Sequence, residues 1–231
     1  MASPKTVGIL VAAGRGRRLN AGKAKAFVTL GRKPLIAYGV RSLERAGLDV
    51  IAVVPPRAAR AELAAWSRRL GARRLRAVLP GGARRQDSVA AGVAAAVKLG
   101  ATHVLIHDAA RPFASAALVR RVARAAQRHG AASAALPLVD TLVRARSKRC
   151  DQTLLRERLW RMQTPQGFKL APLRRALAAA GKRTYTDETS LMLRHGVRAA
   201  LVVGEAGNFK ITTAEDLRLA RRLLRARLGN G

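Results

Sequence analysis

The chain has 231 residues, enough for one large domain with a true core and short for two full ones. About half of them are apolar (49%) but only 3% are aromatic, so the core has to come from Ala, Val and Leu in close helix–sheet packing. A single cysteine, Cys150, excludes an intramolecular disulfide and a cysteine-rich metal site, and 45 Lys and Arg against 13 Asp and Glu leave a net charge of +32.

A charge of that size concentrates polyanions around a protein. Here, however, the arginines are spread through the whole chain and few aromatics lie among them to stack on bases. That pattern argues against a nucleic-acid partner and for an arginine-rich surface. Lys5 precedes the apolar run 7–13, which is too short for a signal peptide and is followed at once by Arg15, Arg17 and Arg18. No stretch approaches the ~20 apolar residues of a membrane helix, so a cytoplasmic protein with no membrane contact is expected.

In chain order, residues 7–11 read as a strand that feeds Ala12, Ala13, Gly14, Arg15, Gly16, Arg17 and Arg18, with Lys23 and Lys25 close behind. Small residues let a ligand approach the main chain, and Gly14 and Gly16 tolerate positive φ. Successive N–H groups in such a loop form a concavity for anions. Arginine adds a forked donor and lysine a mobile point charge. The loop lacks the Gly-Lys-Ser/Thr ending of a Walker loop and the third glycine of the dinucleotide fingerprint, so it is a phosphate-gripping loop of another kind.

A helix over 35–46, a strand over 50–54, a helix over 58–70 and a strand over 76–79 follow. Pro80-Gly81-Gly82-Ala83-Arg84-Arg85-Gln86-Asp87-Ser88 then leads into a helix over 88–99. Gly81 and Gly82 allow close backbone approach, while Asp87 or Ser88 caps the helix, touches a ligand, or does both. The strand over 103–107 ends in His107-Asp108-Ala109-Ala110-Arg111-Pro112, and ligands of open α/β sheets sit beyond such ends. Asp108 suits a metal or sugar hydroxyls, or pairs with Arg111 to shape the turn; His107 reads as a structural histidine.

A helix over 114–129 and a strand over 132–138 come next. Residues 139–160 are charged and without helical period, as in a disordered insertion or a projecting arm. A helix over 171–180 and a strand over 199–203 precede a last helix over 214–228, opened by Thr212 and Thr213 with Glu215 and Asp216 in its first turn. Arg218, Arg221, Arg222 and Arg225 share one face of it, a solvated one. Thr141, Arg156, Trp160, Thr164-Pro165-Gln166, Thr186-Asp187-Glu188 and Asn208-Phe209-Lys210 are further polar candidates. Repeated strand–helix units define an α/β fold of three layers, with a mainly parallel sheet and right-handed crossovers.

In this order the motifs resemble those of the 2-C-methyl-D-erythritol 4-phosphate cytidylyltransferases, over nearly the whole chain. The likeness rests on the Ala-Ala-Gly-x-Gly-x-Arg loop, Lys25 before Phe27, Gly-Gly with Asp-Ser-Val, His-Asp-Ala-Ala-Arg-Pro, Asp-Thr, Thr-Pro-Gln, Thr-Asp-Glu and Asn-x-Lys. The resemblance implies a single Rossmann-like nucleotidyltransferase domain over 1–231 with a projecting β-arm at about 139–160 that locks a homodimer together. It implies transfer of CMP from CTP to methylerythritol phosphate, release of pyrophosphate and a need for Mg²⁺. By the same resemblance Arg18 and Lys25 stabilise the transition state, and Ala12, Ala13, Gly14, Gly82 and Ser88 recognise CTP. Asp108, Arg111, Thr141, Arg156, Thr164 and Lys210 would hold methylerythritol phosphate, with Thr141 and Arg156 serving the neighbouring subunit. The chain stops soon after its last helix, so no fused second catalytic domain is expected.

Several positions depart from the family pattern. Ala26 stands where glutamine is usual, Ala24 where proline is frequent, and Ala83 where an acidic residue often lies beside the base. Lys23, two residues from Lys25, is the alternative catalytic lysine. Two rival functions remain at this level: a cytidylyltransferase for ribitol 5-phosphate or another polyol phosphate, and a basic nucleic-acid-binding protein on the same fold. The set Arg18, Lys25, Asp108 and Lys210 argues against the second.

Overall fold

In the computed structural model, which describes residues 3–14 and 24–229, the elements run from β1 (Thr6–Val11) through a 3-10 turn (Lys25–Phe27) to the short ribbon β2 (Thr29–Leu30) and β3 (Lys33–Pro34). Then come α1 (Leu35–Arg45), β4 (Asp49–Val54), α2 (Leu63–Leu70), β5 (Leu75–Pro80), α3 (Arg85–Lys98), β6 (His103–Asp108), α4 (Ala116–His129) and β7 (Ala131–Pro137). The chain continues through β8 (Leu142–Arg146), β9 (Arg149–Leu154), β10 (Trp160–Lys169), α5 (Leu170–Ala179), α6 (Glu188–Arg194), β11 (Ala200–Val203) and α7 (Ala214–Gly229).

One seven-stranded sheet carries the fold, in the order β11-β7-β10-β6-β1-β4-β5. Its neighbours are parallel except at β10, which runs antiparallel to both β6 and β7. From β1 the chain winds outward through β4 to β5, then crosses back to β6 on the other side of β1. The strand order reverses there, which opens a crevice at the strand ends.

Close packing on β1 depends on two missing side chains. Ile9 and Leu10 point to opposite faces, and a Cβ on Gly92 of α3 would lie 2.5 Å from Ile9 while one on Gly39 of α1 would lie 2.6 Å from Leu10. The two glycines let both helix layers approach the sheet. Leu10, Ile36, Leu43, Leu118 and Val122 fill one face, and Ile9, Val89, Val93, Phe168 and Leu173 the other. A third cluster joins Val28, Leu30, Leu35 and Phe113 to Ile211, Leu217 and Ala220. It seats α7 against β2, and it holds the chain just after Lys25 and just after Lys210.

Three regions differ from the expectations. The helix over 58–70 begins later: residues 58–60 make a 3-10 turn, Ala61 and Glu62 are extended, and α2 starts at Leu63. β10 is a central strand that Pro165, which has no N–H to donate, masks in the sequence; its pairing with β7 slips between Met162 and Gln166. Residues 139–160 are neither helical nor shapeless, since β8 and β9 form a hairpin with an antiparallel register. Its two-residue turn, Ser147 and Lys148, has φ of 48° and 64°, the left-handed pair that matches the twist of a hairpin. The last helix starts as expected, with Thr213 Oγ1 accepting from the Asp216 N–H at 3.2 Å and Asp216 accepting from the N–H groups of Thr212 and Thr213.

Filling the Gly92 notch should unlock the α3 layer. Gly92→Val is expected to lower stability to urea unfolding by about 2 kcal/mol or more, because the added atoms would press on Ile9, which is fully buried. An unchanged midpoint would show that the close approach is dispensable.

Candidate active site

A cleft of about 670 Å³ opens beyond the C-terminal ends of β1, β4, β5 and β6. Residues 11–14 leave β1 at its floor, Pro55 and Pro56 follow β4, the turn 81–85 follows β5, and residues 108–110 follow β6. Lys25 and Lys210 complete the lining. Gly14, Ala13 and Lys25 are therefore brought together as expected. Arg18 and Lys23 lie outside the described residues.

The glycine turn after β5 is held tightly. A Cβ on Gly81 would meet that of Ala13 at 2.2 Å, so the two loops touch only because Gly81 is bare, and one on Gly82 would meet Asp87 at 2.4 Å, so the turn folds onto its own helix start. Gly82 donates its N–H to Ser88 Oγ at 3.1 Å, and Gly81 and Ala12 donate theirs to Val54 and Val53. Asp87 caps the start of α3 by accepting from the Arg84 N–H at 2.9 Å. The two readings of this segment thus separate: Asp87 is the cap and Ser88 fastens the turn. Ala12 and Ser88 are buried beneath the cleft surface, and Gly14 is open to it.

Asp108 is the centre of the polar network. Its Oδ2 receives Lys210 Nζ at 2.7 Å, and its Oδ1 receives Arg85 Nη2 at 3.1 Å. Its N–H donates to Thr164 Oγ1 at 3.1 Å. Burial alone would raise this carboxyl, but Arg85 and Lys210 overcome it and hold Asp108 well below the usual carboxylate range. Arg85 also donates to both oxygens of Glu188, at 2.6 and 2.8 Å. Glu188 is 2% exposed, and burial pushes its carboxyl up against the pull of Arg85.

Thr164 and Arg111 face inward rather than into the cleft. His107 Nε2 lies 3.1 Å from the Arg111 carbonyl, which can only accept, so that nitrogen carries the ring proton. Burial pushes the His107 pKa down to about 4, outweighing the opposing charge of Asp108, so the ring is neutral and its Nδ1 accepts from the Thr164 hydroxyl at 3.0 Å. The Thr164 hydroxyl is thus committed in both directions, to His107 and to the Asp108 amide. Arg111 donates to the carbonyls of Asn208 at 2.9 Å and Met162 at 3.3 Å and braces β6 against β10. Asn208, fully buried, donates to Gln163 and Thr164 and fixes the loop that bears Lys210.

Thr141 and Arg156 do not line this chain's cleft; both are exposed at the base of the β8–β9 hairpin, where Arg156 donates to the Val139 carbonyl. Thr186-Asp187-Glu188 is in part a helix cap, since Asp187 accepts from the Ser190 N–H at 2.8 Å. Gln166 donates to Asp187 at 2.8 Å and ties β10 to the same helix start. The pairing of Arg85 with Glu188 is what sequence reasoning passed over. Both stand inside recognised motifs, yet they are 103 residues apart and nothing local signals that they meet.

A mainly parallel sheet with a switch-point cleft, glycine turns and clustered cations defines a Rossmann-like α/β fold. A 2-C-methyl-D-erythritol 4-phosphate cytidylyltransferase family model matches residues 6–226. The enzyme of that name from Geobacillus kaustophilus is 38% identical, across 95% of this chain and 97% of its own length. The crystal structure of the cytidylyltransferase from Thermus thermophilus superposes with a TM-score of 0.78 at 39% identity, covering 95% of this chain and 98% of that one. A bifunctional IspD/IspF enzyme from Anaeromyxobacter dehalogenans is 47% identical over 98% of this chain, which spans 59% of that relative's length. The chain belongs to the 2-C-methyl-D-erythritol 4-phosphate cytidylyltransferase family. Among the described residues, no helix is long and apolar enough to cross a membrane.

The buried His107 makes stability depend on pH. In the folded chain it stays neutral down to about pH 4, whereas once unfolded it takes up a proton near 6.5, so between those values the unfolded state binds more protons. Stability to urea should fall by about 3 kcal/mol from this group as the pH drops from 7 to 4. His107→Gln should flatten that slope; an equal slope in the variant would place the titration elsewhere.

Proposed function

We propose that this protein transfers CMP from CTP to 2-C-methyl-D-erythritol 4-phosphate, giving 4-diphosphocytidyl-2-C-methyl-D-erythritol and pyrophosphate. The observation that carries the reading is the shared cleft, with the β1 and β5 turns and Lys25 on one part of its wall and the Asp108–Lys210 pair on another. The CTP phosphates lie against Gly14 and Lys25, and the base lies towards Ala12, Ala13, Gly82 and Ser88. With Ala83 in place of an acid, and with the Gly82 N–H already given to Ser88, the base contact falls to remaining backbone groups.

The nucleophile is the acceptor's own phosphate. Its second pKa is about 6, so it is largely ionised at neutral pH and needs no protein base. One of its oxygens attacks the α-phosphorus of CTP, the α–β bridging bond breaks, and pyrophosphate leaves with the electron pair. The obstacle is bringing two anions together in line, so the chain contributes positive charge and position. Arg18 and Lys25 offset the charge that builds at the α-phosphate, and Lys210 orients the acceptor phosphate. Asp108, kept ionised, accepts from acceptor hydroxyls, while Thr164 and Arg111 act from behind it by fixing its backbone and its loop.

Mg²⁺ fits this site as a companion of the triphosphate. Among the described residues no three His, Cys, Asp or Glu side chains are grouped to hold a metal, and the cleft's Asp108 is already engaged by two cations. A magnesium ion commonly takes phosphates and water besides one or two carboxylates, and with Asp108 engaged by Arg85 and Lys210 the CTP phosphates and water would be its ligands. Bound there, the ion would neutralise phosphate charge.

A homodimer completes the site in this reading, with residues 1–231 as one catalytic domain and the 139–160 arm crossing to a second copy. Val139 (66% exposed), Leu155 (84%) and Trp160 (36%) give the arm an apolar surface that a partner would cover. Thr141 and Arg156 would then reach the neighbour's acceptor. The lone cysteine and the lack of a membrane-length helix among the described residues fit work in the cytoplasm.

With CTP, Mg²⁺ and methylerythritol phosphate the purified protein should release pyrophosphate. Release with ribitol 5-phosphate and none with methylerythritol phosphate would overturn the acceptor assignment, and salt-dependent nucleic-acid binding without turnover would overturn the class. In the same assay Lys25→Ala should cost about 100-fold or more in kcat with the fold retained. If Lys23→Ala is the inactivating change instead, the catalytic lysine is two positions earlier.

A further inference from the structure

Arg85 is a cation in the cleft wall that is paired with carboxylates. Its guanidinium is used on two carboxylates at once: Nη1 on Glu188 at 2.6 and 2.8 Å, and Nη2 on Asp108 at 3.1 Å. Burial would lower its pKa, but Asp108 and Glu188 together raise it above the ordinary arginine value. Among the described residues Arg85 is the ion-pair partner of Glu188, which sits at the start of α6, whose cap is tied through Asp187 and Gln166 to β10. The pair therefore links three separate elements, α3, α6 and the end of β6.

The other holder of Asp108 is Lys210, whose side chain is 43% exposed against 26% for Arg85. A lysine is a compact charge on a flexible stem and turns readily to a phosphate. When the acceptor phosphate draws Lys210 away, Asp108 loses one of its two cations while it must stay ionised and still to receive hydroxyls. An unpaired Arg85 at this place would itself turn to the triphosphate, since arginine prefers a forked phosphate contact. Glu188 removes that option by occupying the other side of the fork.

The geometry points to Glu188 and Arg85 as a positioning pair for acceptor recognition: Glu188 keeps Arg85 on Asp108 and off the nucleotide, and Arg85 keeps Asp108 in place when Lys210 engages the acceptor. This rests on the proposed cytidylyltransferase reading. Neither residue need touch the reacting atoms.

Steady-state kinetics on the full chain test it, with each substrate varied at saturating concentration of the other. Glu188→Gln keeps the size and one acceptor oxygen but removes the charge; Arg85→Lys keeps a charge beside Glu188 but loses the fork. In both, KM for methylerythritol phosphate should rise about tenfold while KM for CTP stays within about twofold. Glu188→Asp, which restores the charge on a shorter arm, should recover part of the loss. A rise in KM for CTP equal to that for the acceptor would make Arg85 a nucleotide ligand and overturn the assignment. So would unchanged constants, or a loss of folding in both variants by thermal melting, which would make the pair a structural brace. Wild-type turnover separates the two levels: its absence sinks the functional reading and this inference together, whereas wild-type turnover with unaltered acceptor KM in the variants sinks only the pair.

Discussion

Asp108 sits where a parallel strand meets the cleft, and a carboxylate that is 7% exposed must be compensated to be tolerated there. The compensation comes from far along the chain. Arg85 arrives from the start of α3, Lys210 from the loop after β11, and the Thr164 hydroxyl from β10. Each of these needs its own support: Glu188 for Arg85, Asn208 for the Lys210 loop, and neutral His107 for Thr164. Much of the second half of the chain is thus arranged around one negative charge, and the antiparallel course of β10 is what delivers Thr164 to it.

The same economy is visible in the acidic residues as a group. There are 13 of them against 45 cations, and several are used at fixed places. Glu44 accepts from the N–H groups of Arg73 and Arg74, Asp87 and Asp187 cap helices, Glu205 receives Ser115, and Asp216 starts α7. The arginines of α7, by contrast, face solvent, as their spacing indicated. The large net charge is a property of the surface, while the carboxylates carry the architecture. Small residues do the corresponding work in the apolar layers, because a core poor in aromatics closes only if backbones approach closely, as Gly39, Gly92 and Gly81 allow.

Local pattern revealed the parallel half of the fold well. β1, β4 and β6 are largely apolar runs covered on both faces, β5 at the sheet edge is only partly covered, and the periodic helices between them bury one stripe each. The pattern failed where pairing is non-local or masked. Pro165 hid β10; the exposed β8–β9 hairpin has no core-facing alternation to detect; and α6 is seven residues long, too short for a periodic signal. The site divides in the same way. Gly14, Lys25, Gly82, Asp108 and Lys210 stand at motif positions and meet in one cleft, while Thr164 and Arg111 stand in motifs but face inward.

By itself, the sequence determined the layered α/β fold through strand–helix alternation, and its small-residue loops with nearby cations pointed to a nucleotide-phosphate site, because both signals lie between near neighbours in the chain. Only the tertiary structure decided which partners each polar group takes. In the sequence Arg85 is one more cation of a glycine turn, yet it is paired with a glutamate 103 residues away, and Thr164 has given its hydroxyl to a histidine 57 residues away. A charge or a hydroxyl acquires its role from its partners, and those partners are chosen by folding across the sheet rather than by spacing along the chain.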